Sequence, residues 1–122
     1  MTTIESLQSS LNKRGIRAEL AGCWLKVWEP SGTYHCWKPG DEDGALCFLF
    51  LDLIERDGWD GIEILNGKPE FKYNFMAHRP SSVDEIYGVG LTRTDAVVDA
   101  LKYADEYHPD YALLALDNQE SA

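Results

Sequence analysis

One pattern occurs twice along this chain of 122 residues: a helix end, a charged turn with glycine, a strand, a tight glycine turn and a second strand. The first copy is SLNKRGIRAELAGCWLKVWE, residues 10–29, and the second is DLIERDGWDGIEILNGKPEFKYNF, residues 52–75. Strands joined by turns this short pair antiparallel. The pattern therefore predicts an α+β fold of two helix-plus-antiparallel-strand units. It does not by itself indicate duplication, since any helix followed by a hairpin has it.

Residues 1–38 are predicted to form the first unit, a helix followed by a three-stranded meander. Thr2 or Thr3 can cap the helix, and Gly15 follows its basic end, as helix C-termini prefer. The inner face of this helix has apolar residues at helical spacing, namely Ile4, Leu7 and Leu11. The segments IRAEL, CWLKVWE and TYHCW then have strand character and are separated by the turns AG and EPSGT.

Residues 41–107 are predicted to form the second unit, which begins with a helix from residue 44 to about residue 57. Asp41 or Asp43 can cap this helix. Seven consecutive apolar residues could also form a buried strand, but the acidic start and the length favour a helix. Because ALCFLFLDLIERD is apolar on nearly every side, we expect this helix to be the most buried element.

A hairpin, a sixth strand and a third helix complete the second unit. Asn66-Gly67 between GIEIL and EFKYNFMA predicts a tight two-residue turn. The following strand is predicted to place three aromatic residues on one face, namely Phe71, Tyr73 and Phe75. EIYGVG is a strand and TRTDAVVDALKYADEY is a helix that His108-Pro109 ends. The helix is predicted to have an inner stripe of Val97, Ala100, Leu101 and Ala104 and an outer face with Asp95, Asp99 and Glu106.

The last segment, residues 108–122, is expected to form a short helix or a tail. Its apolar residues predict either docking onto the domain or a homodimer contact, and they are Tyr111, Leu113, Leu114 and Leu116. We therefore expect a single domain over residues 1–122, with about six strands and three to four helices in a layered α/β sandwich.

The net charge of −10 makes direct nucleic-acid binding unlikely as a function class. Binding to a phosphate backbone needs clustered basic residues, and the nearest group is Lys13-Arg14-Arg17. The charge favours attraction to a basic surface on a partner protein, or serves only to keep the chain in solution.

Few residues point to catalysis, a cofactor or a metal. The chain contains no G-x-S-x-G, H-E-x-x-H or C-x-x-C motif, and its paired acids have no feature that marks a catalytic carboxylate. His35-Cys36 with Cys23 matches no common zinc spacing. We predict no catalytic residue, cofactor or metal site. The odd number of cysteines, the absence of a basic and apolar leader, and the shortness of the run ALCFLFL predict a cytoplasmic protein without a membrane segment.

The stretch YGVGLTRTDAVVDAL has two interpretations. A glycine turn that feeds a helix can bind a phosphate, and here it would use Gly88, Gly90, Thr92 and Arg93. However, Arg93 stands where a dinucleotide fingerprint needs its third glycine. In the structural interpretation the glycines let the strand turn sharply, and Thr92 caps the helix with Asp95 as its partner. A small-ligand or nucleotide-binding protein is therefore the alternative function.

Two alternatives also stay open for the strands that contain tryptophan. In CWLKVWE, Lys26 and the two tryptophans share one face, whereas Leu25 and Val27 share the other. If the apolar pair faces the core, the tryptophans mark a partner surface; if helices cover both faces, they are buried. His35 and Trp37 share a face of the next strand. The residues predicted to bind a partner are Trp24, Lys26, Trp28, Trp37, Asp95, Asp99 and Glu106.

Residues 41–103 resemble a family of small bacteriophage proteins, the "ABA sandwich" domains. The resemblance rests on the acidic loop, helix and Gly-Trp of DEDGALCFLFLDLIERDGW, on EILNGKPEFKYNF, and on YGVGLTRTDAVVDALKYA. It implies an α/β/α layering and a phage accessory protein with no catalytic residues to transfer. By analogy of size and charge, it implies non-enzymatic binding to a host protein in the host cytoplasm, with inhibition of a CRISPR or restriction complex as one such activity.

Overall fold

The computed structural model describes residues 2–67 and 72–112, and these ranges form an α+β fold, as the sequence predicts. The helices are α1 (Thr3–Lys13), α2 (Gly44–Arg56), α3 (Arg93–Tyr107) and a short 3₁₀ helix (Pro109–Ala112). The strands are β1 (Ala18–Ala21), β2 (Trp24–Trp28), β3 (Tyr34–Trp37), β4 (Asp60–Asn66), β5 (Tyr73–His78) and β6 (Glu85–Gly90).

The strands form two antiparallel sheets, ordered β1-β2-β3 and β4-β5-β6. Each sheet has a buried face and an exposed face. In β5, for example, Phe75 is buried between the exposed Asn74 and Met76. The buried side chains of both sheets and of all three helices belong to one core cluster. The helices therefore pack on one face of each sheet in a layered arrangement, and the other face of each sheet points away from the core.

Side-chain caps fix the start of each helix. The Thr2 hydroxyl accepts a hydrogen bond from the Glu5 backbone N–H, and the Glu5 carboxylate accepts one from Thr2 in return. Asp43 caps α2 and Thr92 caps α3, each by accepting from the third residue of its helix. Caps of this kind contribute about 1 kcal/mol each. The predicted inner stripe of α3 is confirmed, since all four of its residues are buried: Val97, Ala100, Leu101 and Ala104.

The connection between β4 and β5 differs from the predicted two-residue turn. Asn66 pairs with Tyr73 in the strand ladder, and the Gly67 N–H donates to the Lys72 carbonyl at 3.0 Å. The Asn-Gly pair therefore continues the ladder, so the tight turn was a wrong prediction. Tyr73 shares the core-facing side of β5 with Phe75, as predicted. The predicted position of Phe71 lies outside the described residues, as do the predictions for residues 113–122.

The helix α2 is less buried than its composition predicts. Five of its 13 residues are buried, against seven of the 15 in α3, and the Phe48 side chain is 76% exposed. The expectation that α2 is the most buried element is therefore wrong. The central position belongs to α3, which contacts α1, α2, β5 and β6. Because α3 fills this place, α2 packs against the core through one side only.

The two glycines of the G-V-G motif lie inside β6 and do not make a sharp turn, which corrects the structural interpretation of the sequence. A Cβ on Gly88 would lie 2.6 Å from the backbone nitrogen of Ala100. A Cβ on Gly90 would lie 2.6 Å from the backbone nitrogen of Ala96. Both distances are below van der Waals contact, so glycine is required here because α3 lies directly against the strand.

A buried ion-pair cluster joins the three helices, and the sequence gives no sign of it. The Arg14 side chain has no solvent exposure, and its guanidinium donates to Asp57 at 2.7 Å and to Asp105 at 2.8 Å. It also donates to the Ser10 carbonyl at 2.9 Å. Burial raises the pKa of Asp57, and the guanidinium of Arg14 opposes this shift. Arg14 therefore belongs to the core and cannot contribute to a basic surface with Lys13.

Candidate functional site

The face of the β1-β2-β3 sheet that points away from the core is the candidate functional site. In β2, Leu25 and Val27 have no solvent exposure, and the residues between and beside them are half-buried on the other side. The strand register places Lys26 opposite Glu19 and Cys36, and Trp28 opposite Tyr34. We call this side the outer face, and its residues are Glu19, Ala21, Trp24, Lys26, Trp28, Tyr34 and Cys36.

Cations pack on the two tryptophan rings of the outer face. The Arg17 guanidinium carbon lies 3.9 Å from the centre of the Trp28 ring, and the Lys38 Nζ lies 4.7 Å from that of Trp24. Such contacts orient a charged group over the ring face, and the Arg17 guanidinium also donates to the carboxylate of Glu19. Arg17 and Lys38, which flank the strands, join Lys26 of the outer face to make three cations, against one carboxylate, Glu19, that pairs with Arg17 at 3.2 Å. This is a locally basic, aromatic surface on a chain of net charge −10.

Trp37 is not part of this surface, which corrects its assignment as a partner-binding residue. Its side chain has no exposure, and its Nε1 donates to the Asp41 carbonyl at 2.9 Å. The reason is the register of the meander, since Trp37 lies opposite Leu25 and therefore faces the core. The exposed residues of β3 are instead Tyr34 and Cys36. The sequence signal for this register has two parts. The alternation in β2 places Leu25 on the core side, and the five residues of EPSGT between Trp28 and Tyr34 bring Trp37 opposite Leu25.

His35 lies at the edge of the same sheet, between two carboxylates. Its Nε2 lies 3.0 Å from Glu29 and its Nδ1 lies 3.2 Å from Asp43. The hydrogen bond to Glu29 raises the pKa of His35, with a further contribution from the charge of Asp43. Both ring nitrogens are therefore engaged, and Cys36 points to the opposite side of the sheet. Within residues 2–67 and 72–112, no group of His, Cys, Asp and Glu side chains could hold a metal ion.

The acidic residues that the sequence singled out lie on α3 and do not join the outer face. Asp95 accepts hydrogen bonds from the Gly40 N–H at 2.9 Å and from the hydroxyl of Thr92. Asp99 accepts from the backbone N–H of Val89 at 2.9 Å. Both side chains are half-buried, whereas Glu106 is exposed. Asp95 and Asp99 therefore hold neighbouring backbone in place, and of the three acids predicted on the outer face of α3 only Glu106 is exposed.

The N-terminus of α3 already has carboxylate partners from this chain. The Arg93 N–H donates to Glu42 at 2.9 Å, and the carboxylate of Asp95 accepts from the Thr92 hydroxyl. The Arg93 guanidinium lies over the Tyr73 ring at 5.1 Å. A phosphate at this helix end would meet two negative charges, which opposes the attraction that a helix N-terminus offers to an anion.

A shallow groove of about 530 Å³ borders the outer face beside Trp28, between Arg17 and the turn at Glu29 and Pro30. Comparison with protein-family models, curated proteins and solved structures gives no match to the chain. Among the described residues, no helix combines the length and apolar character that crossing a bilayer requires.

Proposed function

We propose that this protein is a non-enzymatic binding protein that contacts a partner protein through its outer face. In the setting implied by the resemblance to phage "ABA sandwich" domains, the partner is a host protein, and the activity to test is inhibition of a defence complex. The observation that carries the proposal is the outer face itself, because Trp24, Lys26 and Trp28 stay half-exposed there, with the cations Arg17 and Lys38 packed on the two tryptophan rings.

The chemistry of the outer face suits a protein interface. Tryptophan, tyrosine and arginine are the residues that most often dominate binding energy at such interfaces. Arg17 and Lys38 are held over ring faces, so they lose less conformational freedom on binding than free surface side chains would. Their position over the rings also leaves little open ring surface for nucleic-acid bases to stack on. A protein surface with carboxylates and apolar groups is the partner that fits.

The alternative function, a small-ligand or nucleotide-binding protein, has less support. It would use Gly88 and Gly90 near the start of α3, where Glu42 and Asp95 already lie. A thermal-shift titration with nucleotides tests it, because a ligand that binds the folded state must raise the melting temperature. No stabilisation at millimolar nucleotide would remove this alternative.

Quantitative affinity purification from host lysate tests the proposed function. We would compare the wild-type protein with Lys26→Glu and Tyr34→Ala, both on the outer face. Lys102→Glu is the matched control, since it makes the same charge change on an exposed residue of α3. We expect a host protein that wild type and Lys102→Glu retain equally and that the outer-face variants lose at least tenfold. Equal retention by all four proteins, with unchanged melting temperatures, would refute the proposal.

A further inference from the structure

The outward side of α2 has an exposed aromatic residue that nothing in the described chain covers. The Phe48 side chain is 76% exposed, against 57% for Tyr34 and 60% for Tyr107. Ala45, one turn earlier, is exposed, and Leu49 is half-buried. We call these three residues the α2 patch.

Exposure of this helix is physically unusual, because a helix that is apolar on all sides is normally buried. α2 contains GALCFLFLDLI, yet its buried side consists of Leu46, Cys47, Phe50, Leu53 and Ile54. Burial of a phenylalanine side chain stabilises a protein through the hydrophobic effect, and Phe48, at 76% exposure, contributes little in this way. Exposed apolar groups that lie together mark contact surfaces.

The residues around the α2 patch are mainly acidic. Glu42 lies just before the helix, and Asp52 and Glu55 follow on the same exposed side, one to two turns after Phe48. Arg56 lies on this side and forms an ion pair with Asp52 at 3.0 Å, and Arg93 is close enough to α2 for its charge to act on Cys47. The α2 patch is thus an apolar centre with carboxylates at both ends, the opposite charge pattern to that of the outer face.

We propose that the α2 patch is a second docking site, which binds a basic amphipathic helix of a partner protein. The apolar side of such a helix would cover Phe48 and Ala45. These two residues are three positions apart in α2, so they lie on the same side of the helix and can pack against a second helix. Lysine or arginine residues beside its apolar stripe would meet Asp52 and Glu55. The α2 patch shares no residue with the outer face, although Arg56 beside it lines the groove next to Trp28. The proposal does not depend on the function proposed above.

Charge decides against two other occupants. A second copy of this chain, placed on the α2 patch through the same residues, would bring the carboxylates of both copies together, and each copy has a net charge of −10. An anionic lipid surface would likewise be repelled by Glu42, Asp52 and Glu55. A basic helix is the occupant that satisfies both the apolar centre and its acidic ends.

Fluorescence anisotropy with two synthetic peptides tests the proposal. The first is an amphipathic peptide of leucine and lysine, about 18 residues long, which forms about five helical turns. The second has glutamate in place of each lysine. We expect the full-length protein to bind the lysine peptide and not the glutamate peptide. Phe48→Ala should weaken binding at least tenfold without lowering the melting temperature, whereas Val83→Ala, at a 96% exposed apolar residue, should have no effect.

A pair of charge variants separates the α2 patch from general attraction between opposite charges. Glu55→Lys and Glu106→Lys change the net charge equally, and both residues are exposed. Only Glu55→Lys should weaken binding strongly, and Lys26→Glu on the outer face should bind the peptide no less tightly than wild type. Equal weakening by the two glutamate variants, or unchanged binding by Phe48→Ala, would overturn the proposal.

Two further results would assign the α2 patch to another occupant and would also overturn the proposal. The first is a dimer in analytical ultracentrifugation that Phe48→Ala abolishes. The second is tighter peptide binding, by tenfold or more, when Leu113 and Leu114 are both replaced by serine in the full-length chain. That result would show that the chain's own C-terminal segment competes for the α2 patch.

Discussion

Replacement of Arg14 by methionine is predicted to destabilise the protein strongly. Methionine keeps most of the length of the side chain but removes the guanidinium that bridges Asp57 and Asp105. The Asp57 side chain is 1% exposed and would lose its cationic partner in the core. The Oδ1 atom of Asp57 already has no hydrogen-bond partner among the described residues, so without Arg14 the carboxylate keeps no side-chain hydrogen bond and only the nearby charge of Arg79 opposes its burial.

The expected loss follows from the burial of this cluster. Removal of one partner from a buried ion pair destabilises by about 3–5 kcal/mol, because the remaining charge is left in a medium that solvates it poorly. For a chain of 122 residues, the entropy of unfolding is about 0.26 kcal/mol/K, which converts this loss into a fall in melting temperature of roughly 12–20 °C. This is a large fraction of the 5–15 kcal/mol that typically stabilises a domain.

Thermal and urea unfolding, followed by circular dichroism, measure this effect. Lys13→Met is the matched control, because Lys13 also approaches Asp105, at 3.9 Å, but its side chain is 37% exposed. An exposed ion pair contributes about 0–1 kcal/mol, so Lys13→Met should be nearly neutral. If Arg14→Met and Lys13→Met had similar melting temperatures, our account of the cluster would be refuted.

The pH dependence of Arg14→Met provides a second readout. Burial raises the pKa of Asp57, and the guanidinium of Arg14 opposes this rise. In Arg14→Met that opposition is lost, so the pKa of Asp57 should rise further. An acid whose pKa is higher in the folded state than in the unfolded state stabilises the fold below its unfolded pKa and loses that effect as pH rises. The difference in the free energy of unfolding between wild type and Arg14→Met should therefore become smaller as the pH falls towards 4, which is about the unfolded pKa of an aspartate.

Three further predictions concern other parts of the fold. The pKa of His35 is raised by its two carboxylate partners. Wild type should therefore lose stability relative to His35→Gln as the pH rises above about 6.5. Urea unfolding of both proteins from about pH 5 to 9 would measure this difference. Gly88→Ala should lower the free energy of unfolding by about 1–3 kcal/mol, because its methyl group would press on the backbone of α3. Gly44→Ala, at a position with open space around it, is the control and should be tolerated, and calorimetry would compare the two variants. Thr92→Ala should lower the free energy of unfolding by about 1 kcal/mol through loss of the cap, and an unchanged melting temperature would contradict this.

Local patterns in the sequence predicted most of the secondary structure. Thr2 and Thr92 cap helices as expected, because a hydroxyl before an apolar repeat acts over only three residues. The alternation in β2 also placed Leu25 and Val27 together on one face, which is the buried one, but it left open whether the tryptophan face is covered as well. These signals involve neighbours in the chain, so the sequence contains them in full.

Contacts between distant residues could not be predicted in the same way. Arg14 is an ordinary basic residue near the end of a helix, and its partners lie 43 and 91 positions away. The burial of Trp37 depends on strand register, and the exposure of Phe48 depends on which helix occupies the centre of the core. The composition of α2 alone favours burial, and only the packing of α3 decides otherwise.

The buried cluster at Arg14 also bears on when the fold can be completed during synthesis. Arg14 leaves the ribosome 43 residues before Asp57 and 91 residues before Asp105, so a nascent chain that contains only α1 and the first sheet has neither of the carboxylates that pair with Arg14. Such a chain must keep Arg14 in water or bury its guanidinium without these carboxylates, and both states disfavour an early closed core. Since these contacts join residues 43 and 91 positions apart, we infer that native packing of α1 is a late step of folding.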